Sequence, residues 1–173
     1  MIIHCTKKLA AKLKNVSPEK LEDNNPLGDW HANLYVIDRR QCVMFCHDKT
    51  RFVLFKPGWK ESDFANMDFW FNDLFANTML KLGYEPAVID KALSYVDELS
   101  FDTVCDRSVQ SSLRVAESQD LYGFLMHVPN VMDLPMYSVS AQLNQRPVTT
   151  KGMKNRECLW PHRAMLELIG TLS

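Results

Sequence analysis

The chain is 173 residues long, 46% apolar and 24% charged, the proportions of an ordinary globular protein and enough chain for one core without disulfides or a structural metal. Twenty Lys and Arg against 21 Asp and Glu leave a formal charge of -1, which excludes a uniformly basic nucleic-acid-wrapping surface. No run approaches the roughly 18 apolar residues of a membrane span, and Met1 to Lys8 lacks the order of a signal peptide, so one domain over 1–173, cytoplasmic and away from membranes, is expected.

In chain order, Ile2 and Ile3 lead to Thr6, an N-cap candidate for a short basic helix with Leu9, Ala10 and Leu13 on one face. Ser17-Pro18-Glu19-Lys20 repeats the helix-start signal, a cap followed by proline at the first helical position. Trp30 to Ile37, Cys42 to His47 and Arg51 to Phe55 are β-rich runs separated by Asp38-Arg39-Arg40-Gln41 and Asp48-Lys49-Thr50. Spacings this short predict hairpins and an antiparallel meander, with part of the sheet covered on both faces. After Pro57-Gly58, the residues Phe64, Met67, Phe71, Leu74, Phe75, Thr78, Met79 and Leu82 recur at helical spacing, and Gly83 closes that helix. A second stripe from Val88 to Leu99, opened by Pro86, predicts an αα-hairpin laid over the meander. Phe101 to Val104 is a short strand candidate, Asp106 caps a helix carrying Val109, Leu113 and Ala116, and Trp160-Pro161 opens a last amphipathic helix. The expected fold class is therefore α+β, an antiparallel β-meander packed against an αα-hairpin and further helices.

Five cysteines, Cys5, Cys42, Cys46, Cys105 and Cys158, read as free thiols of a reducing compartment. Cys42 and Cys46 lie on one strand, roughly 13 Å apart, too far for one tetrahedral zinc. No metal site is expected. His4-Cys5 and Cys105-Asp106 offer a thiol beside a polar neighbour, but strand neighbours point to opposite faces, so buried inert thiols are the better reading. Glycine elbow, phosphate loop, dinucleotide fingerprint and zinc-helix patterns are missing, and no cofactor is expected.

The runs Ile3-His4-Cys5-Thr6-Lys7-Lys8-Leu9, Trp30-His31-Ala32-Asn33-Leu34, Asp38-Arg39-Arg40, Thr50-Arg51-Phe52 and Asp106-Arg107-Ser108 resemble, in order and spacing, a family of small bacterial proteins known only as a domain of unknown function. The resemblance covers nearly the whole chain. It implies a single bacterial cytoplasmic domain and brings no activity, cofactor or catalytic residue.

Function is therefore argued from polar residues at the ends of the β-region. Adjacent hairpin turns lie at opposite ends of a meander, so Arg39-Arg40 and Arg51 belong to different places. Thr50 and Arg51, with Arg107 and Ser108 at the start of the helix capped by Asp106, combine guanidinium forks, hydroxyls and a helix N-terminus, the donors an anionic ligand needs. Asp106 opposes an anion there, and ion pairing of Arg51 or Arg107 with a carboxylate is the competing reading. Residues 1–20 hold five lysines against Glu19, and 144–163 hold Arg146, Lys151, Lys154, Arg156 and Arg163 against Glu157. Nucleic-acid binding would need these segments to converge, and it is the less favoured partner. The expected function is a non-enzymatic binding or regulatory module for an anionic ligand or a protein partner. An enzyme acting on a phosphate-bearing small molecule or nucleic acid is the alternative, and no catalytic residue is assigned.

Overall fold

The alternating run Trp30–Ile37 forms β3, and it turns back into β4 (Arg40–His47) through two residues, Asp38 and Arg39, with φ of 48° and 61°. Two consecutive left-handed residues give the turn whose twist matches that of paired strands. The computed structural model describes residues 1–150, 153 and 157–173. A longer loop, 48–52, joins β4 to β5 (Val53–Lys56), completing the expected antiparallel meander.

The sheet as a whole is mixed, which corrects the all-antiparallel expectation. β1 (Ile2–Cys5) pairs in parallel with β3 on one side and with β6 (Ser100–Asp102) on the other, and β2 (Val16–Ser17) adds a parallel edge, giving the order β2-β6-β1-β3-β4-β5. Ser17-Pro18 does not start a helix. The Leu21 N–H donates instead to the Asp102 carboxylate at 2.9 Å, which holds this stretch against the sheet.

One sheet face is apolar. Ile3, Trp30, Phe45 and Leu54 are fully buried there beneath α3 (Met67–Lys81), α4 (Pro86–Leu93) and α8 (Pro161–Thr171). Trp30 meets Phe71 and Phe75 edge-on at 5.0 and 5.4 Å between ring centroids, a geometry that adds to the burial of each ring. The helix expected from the stripe of Phe64 to Leu82 is broken at Asn66 into α2 (Glu61–Ala65) and α3. Around the break, Asp63 accepts from Lys60 N, Lys56 Nζ and Trp70 Nε1, so its carboxylate ties the end of β5 to both helices. Lys56 itself is buried, its ammonium 4.1 Å from the Trp70 ring centre. The second helix of the hairpin stops at Leu93, earlier than expected, although Val96 and Leu99 still pack on the same core.

The other face carries Cys42, Met44, Cys46, Val53 and Phe55 beneath α5 (Arg107–Val115) and α7 (Met136–Leu143). After α5 the chain widens into a π-helical turn over Ala116–Leu121 before α6 (Tyr122–Leu125). The short α1 (Lys7–Ala10) follows β1; Thr6 precedes it, but its hydroxyl bonds Asn33 Oδ1 at 2.8 Å rather than the helix. Among the described residues no helix is long and apolar enough to cross a membrane.

Candidate functional site

The second sheet face changes character along one register line. Asp102 on β6, His4 on β1, His31 on β3, Cys46 on β4 and Val53 on β5 are successive register partners, so all five side chains project to the same side. Over β4 and β5 the row is apolar and covered by α5 and α7. Over β6, β1 and β3 it is Asp102, His4 and His31; Asp102 is fully buried, and the two histidines lie at the floor of an open cleft of about 600 Å³ whose lining also includes Asp48, Arg51, Asp106, Ser108 and Lys20.

His4 Nδ1 lies 2.7 Å from Asp102 Oδ1, and its Nε2 is 3.8 Å from Asp29 Oδ2. Burial works against a charged imidazole, but the carboxylates of Asp29 and Asp102, with the charge of Asp48 beyond, outweigh it and raise the His4 pKa to about 9. His4 is an imidazolium at neutral pH. The same cation holds the Asp29 carboxyl below its ordinary value despite the opposing effect of burial. Asp102 is fully buried and also accepts from the N–H groups of Leu21 and Val104, so its charge is well solvated by the protein.

His31 stacks against His4 with centroids 4.8 Å apart and planes tilted by 54°. Its Nε2 accepts the Asp106 N–H at 2.6 Å, so that nitrogen carries no proton, and Nδ1–H donates to Asp48 Oδ1 at 2.6 Å. Asp106 turns its carboxylate onto the N–H groups of Ser108 and Val109, the expected cap. Those two bonds, against a small burial effect, lower its pKa. Ser108 Oγ then accepts from Arg51 Nη2 at 3.1 Å, and Arg51 belongs to the same loop as Asp48. Loop, strand and helix start are thereby joined in a polar ring around the cleft mouth.

Of the residues expected to form the site, Arg51 and Ser108 meet and the other two do not join them. Thr50 is buried and turned inward, its N–H and hydroxyl both directed at His47 Nδ1. His47 Nε2–H donates to the Leu27 carbonyl, and burial pushes its pKa down to about 4. This neutral histidine is a structural post for the loop, and it explains Gly28: with φ of +94°, a Cβ there would sit 3.2 Å from His47 Nε2. Arg107 is exposed and lines two adjoining clefts, not the one that Arg51 lines.

Arg51 is 8% exposed, with φ of 56°, and its Nε and Nη1 are buried without a hydrogen-bond partner. Among the described residues it forms no ion pair, so the carboxylate pairing considered from sequence does not occur. A family model, the domain of unknown function DUF6933, matches residues 2–164. The chain belongs to this family. Neither a curated protein nor a solved structure matches it.

Within this DUF6933 member, sequence reasoning missed His4, His31 and Asp102. A histidine in each of two β-like runs was the available signal, but it carries meaning only once β1 and β3 are known to pair. Cys5 faces away from His4 and Cys105 is half-buried with its thiol pKa raised by burial, so neither is an activated nucleophile. Among the described residues no three His, Cys, Asp or Glu groups gather to hold a metal ion. The basic segments converge only in part: Lys20 lines the Arg51 cleft and Arg146 a neighbouring one, while Lys151, Lys154 and Arg156 lie outside the described residues.

Proposed function

We propose that this domain is a non-enzymatic binding module that takes the anionic group of a small ligand at Arg51. The observation that carries the reading is the buried Arg51 guanidinium, which has two nitrogens without partners and no carboxylate in ion-pair contact among the described residues, Asp106 acting on it only from a distance. Buried guanidinium donors without partners are costly, and a phosphate or carboxylate entering beside Ser108 offsets that cost while accepting charge-assisted bonds. His4 and Lys20 add positive charge to the same cleft, against Asp48 and Asp106. Five unbridged cysteines, three of them buried, support a reducing compartment as its setting.

Catalysis on a phosphate-bearing substrate is the second reading, favoured by the His4–Asp102 and His31–Asp48 pairs in the same cleft. The proton states argue for binding instead. His31 has both ring nitrogens engaged, His4 is held charged and can donate but not accept, and Cys105 is a protonated thiol. The two carboxylates that line the cleft already accept hydrogen bonds as well, Asp48 from His31 Nδ1–H and Asp106 from the N–H groups of Ser108 and Val109.

Calorimetric titration of inorganic phosphate and of acetate at fixed salt, on wild type, Arg51→Lys and Arg107→Lys, tests the proposal. Arg51→Lys keeps the charge but removes the planar fork and should weaken binding, while Arg107→Lys should leave it unchanged. Equal affinities for wild type and Arg51→Lys would move the site elsewhere. Turnover of a phosphate ester by wild type would replace the binding reading with the enzymatic one.

A further inference from the structure

Ser108 has two sides. Toward β3 and the 48–52 loop it borders the Arg51 cleft; on the other flank of α5 it opens a second cleft of about 400 Å³. Ser108, Ser111, Ser112 and Val115 form one wall of that second cleft, at the three- and four-residue steps that place side chains along one helix stripe. Arg107 and Arg146 supply its cations.

Arg146 repeats the condition of Arg51 in part. Its Nη1 pairs with Asp120 Oδ2 at 2.9 Å, while Nε and Nη2 are buried without partners. Burial lowers the Arg146 pKa and raises that of Asp120, so the two groups are together short of the solvation that open water would give. Two guanidinium groups with unused donors thus flank a single hydroxyl-bearing residue, one in each of two adjoining clefts. Such an arrangement suits a ligand with two anionic groups close together, one for each guanidinium.

Resting on the reading of Arg51 as an anion site, we infer that the ligand is an oligophosphate-bearing small molecule, one phosphate lying at Arg51 and the next reaching across Ser108 to Arg146. Directly linked phosphates place several charges within a short span, which two clefts meeting at one residue demand. A nucleic-acid strand spreads its charges further apart along a chain and needs a longer basic track.

The test is titration of inorganic phosphate and of tripolyphosphate, without divalent cations and at fixed ionic strength, on wild type, Arg51→Lys, Arg146→Lys and Ser111→Asp. Arg146→Lys keeps a cation for Asp120, and Ser111 is exposed, so its replacement adds a repelling charge to the second cleft without disturbing the core. Wild type should bind tripolyphosphate at least about tenfold more tightly than phosphate, a difference of about 1.4 kcal/mol. Arg146→Lys and Ser111→Asp should each remove most of that advantage and leave phosphate binding unchanged, whereas Arg51→Lys should weaken both. Retention of the full advantage in Arg146→Lys and Ser111→Asp, with Arg51→Lys still weakening both probes, would overturn the two-cleft ligand and leave the Arg51 site standing. Failure of wild type to bind either probe, or indifference of both to Arg51→Lys, would remove the Arg51 site and this inference together. Tighter binding of a short single-stranded DNA than of tripolyphosphate would also overturn it, in favour of a nucleic-acid surface.

Discussion

His4 and Asp102 meet at 2.7 Å across 98 positions of sequence, joining the first strand to the last one added to the sheet. Against the opposing effect of burial, the carboxylates of Asp29 and Asp102 together raise the His4 pKa from 6.5 to about 9, so the folded protein holds a proton that the unfolded chain releases earlier. The stabilisation is complete below pH 6.5 and is lost as the pH climbs through 9. At about 1.4 kcal/mol per unit it amounts to about 3 kcal/mol, of which about 2 is lost between pH 6 and 8.5. Urea denaturation at the two ends of that range should show the stability difference between wild type and His4→Gln shrinking by about 2 kcal/mol, a comparison in which the titrations of His47 and of the thiols cancel. A difference that stays the same at both ends would refute the charged His4.

The stripe along α3 points Phe71 and Leu74 into the larger core, where both are fully buried. Truncation of either to alanine should cost about 2 to 5 kcal/mol, since the surrounding rings cannot collapse into the space. Denaturation midpoints measure it. A loss below about 0.5 kcal/mol, the range of surface changes, would mean the helix packs by another face.

The Asp38-Arg39 turn predicts opposite effects for its two residues. Arg39 is exposed and left-handed, so Arg39→Gly should be neutral or slightly stabilising, and replacing Arg39 or Arg40 by serine should shift stability by no more than about 0.5 kcal/mol. Asp38 Oδ2 accepts the Val131 N–H at 2.8 Å and ties the hairpin to the chain that precedes α7. Asp38→Ala should therefore cost about 1 to 3 kcal/mol. A large loss from Arg39→Gly would show that the guanidinium has a buried role.

Thiol reactivity should separate the cysteines by burial. Burial raises the pKa of Cys42 to about 11 and of Cys46 to about 12, and it raises that of Cys5 as well. Exposed Cys158 should react quickly with a disulfide reagent in the native protein, half-buried Cys105 more slowly, and the other three only after unfolding, when all five titrate. Fast labelling of Cys46 in the native state would contradict the packing of β4 under α5.

The sequence by itself determined the elements whose signals are local. A β-rich run between turn residues marked β3 over Trp30–Ile37, Asp106 declared the start of α5, and Trp160-Pro161 that of α8, because strand preference, cap and proline geometry each act within a few residues. Tertiary structure alone decided the parallel half of the sheet. Parallel pairing leaves no turn in the sequence to announce it, and a slip of one residue would have sent His4 to the apolar face, so the Asp102, His4 and His31 row exists only through long-range register. The same holds at the helix start, where Arg107 and Ser108 are neighbours in sequence but point about 100° apart. Once Asp106 is anchored to His31, Ser108 faces Arg51 and Arg107 faces away, a choice made by the docking of α5 on the sheet and not by the motif that contains both.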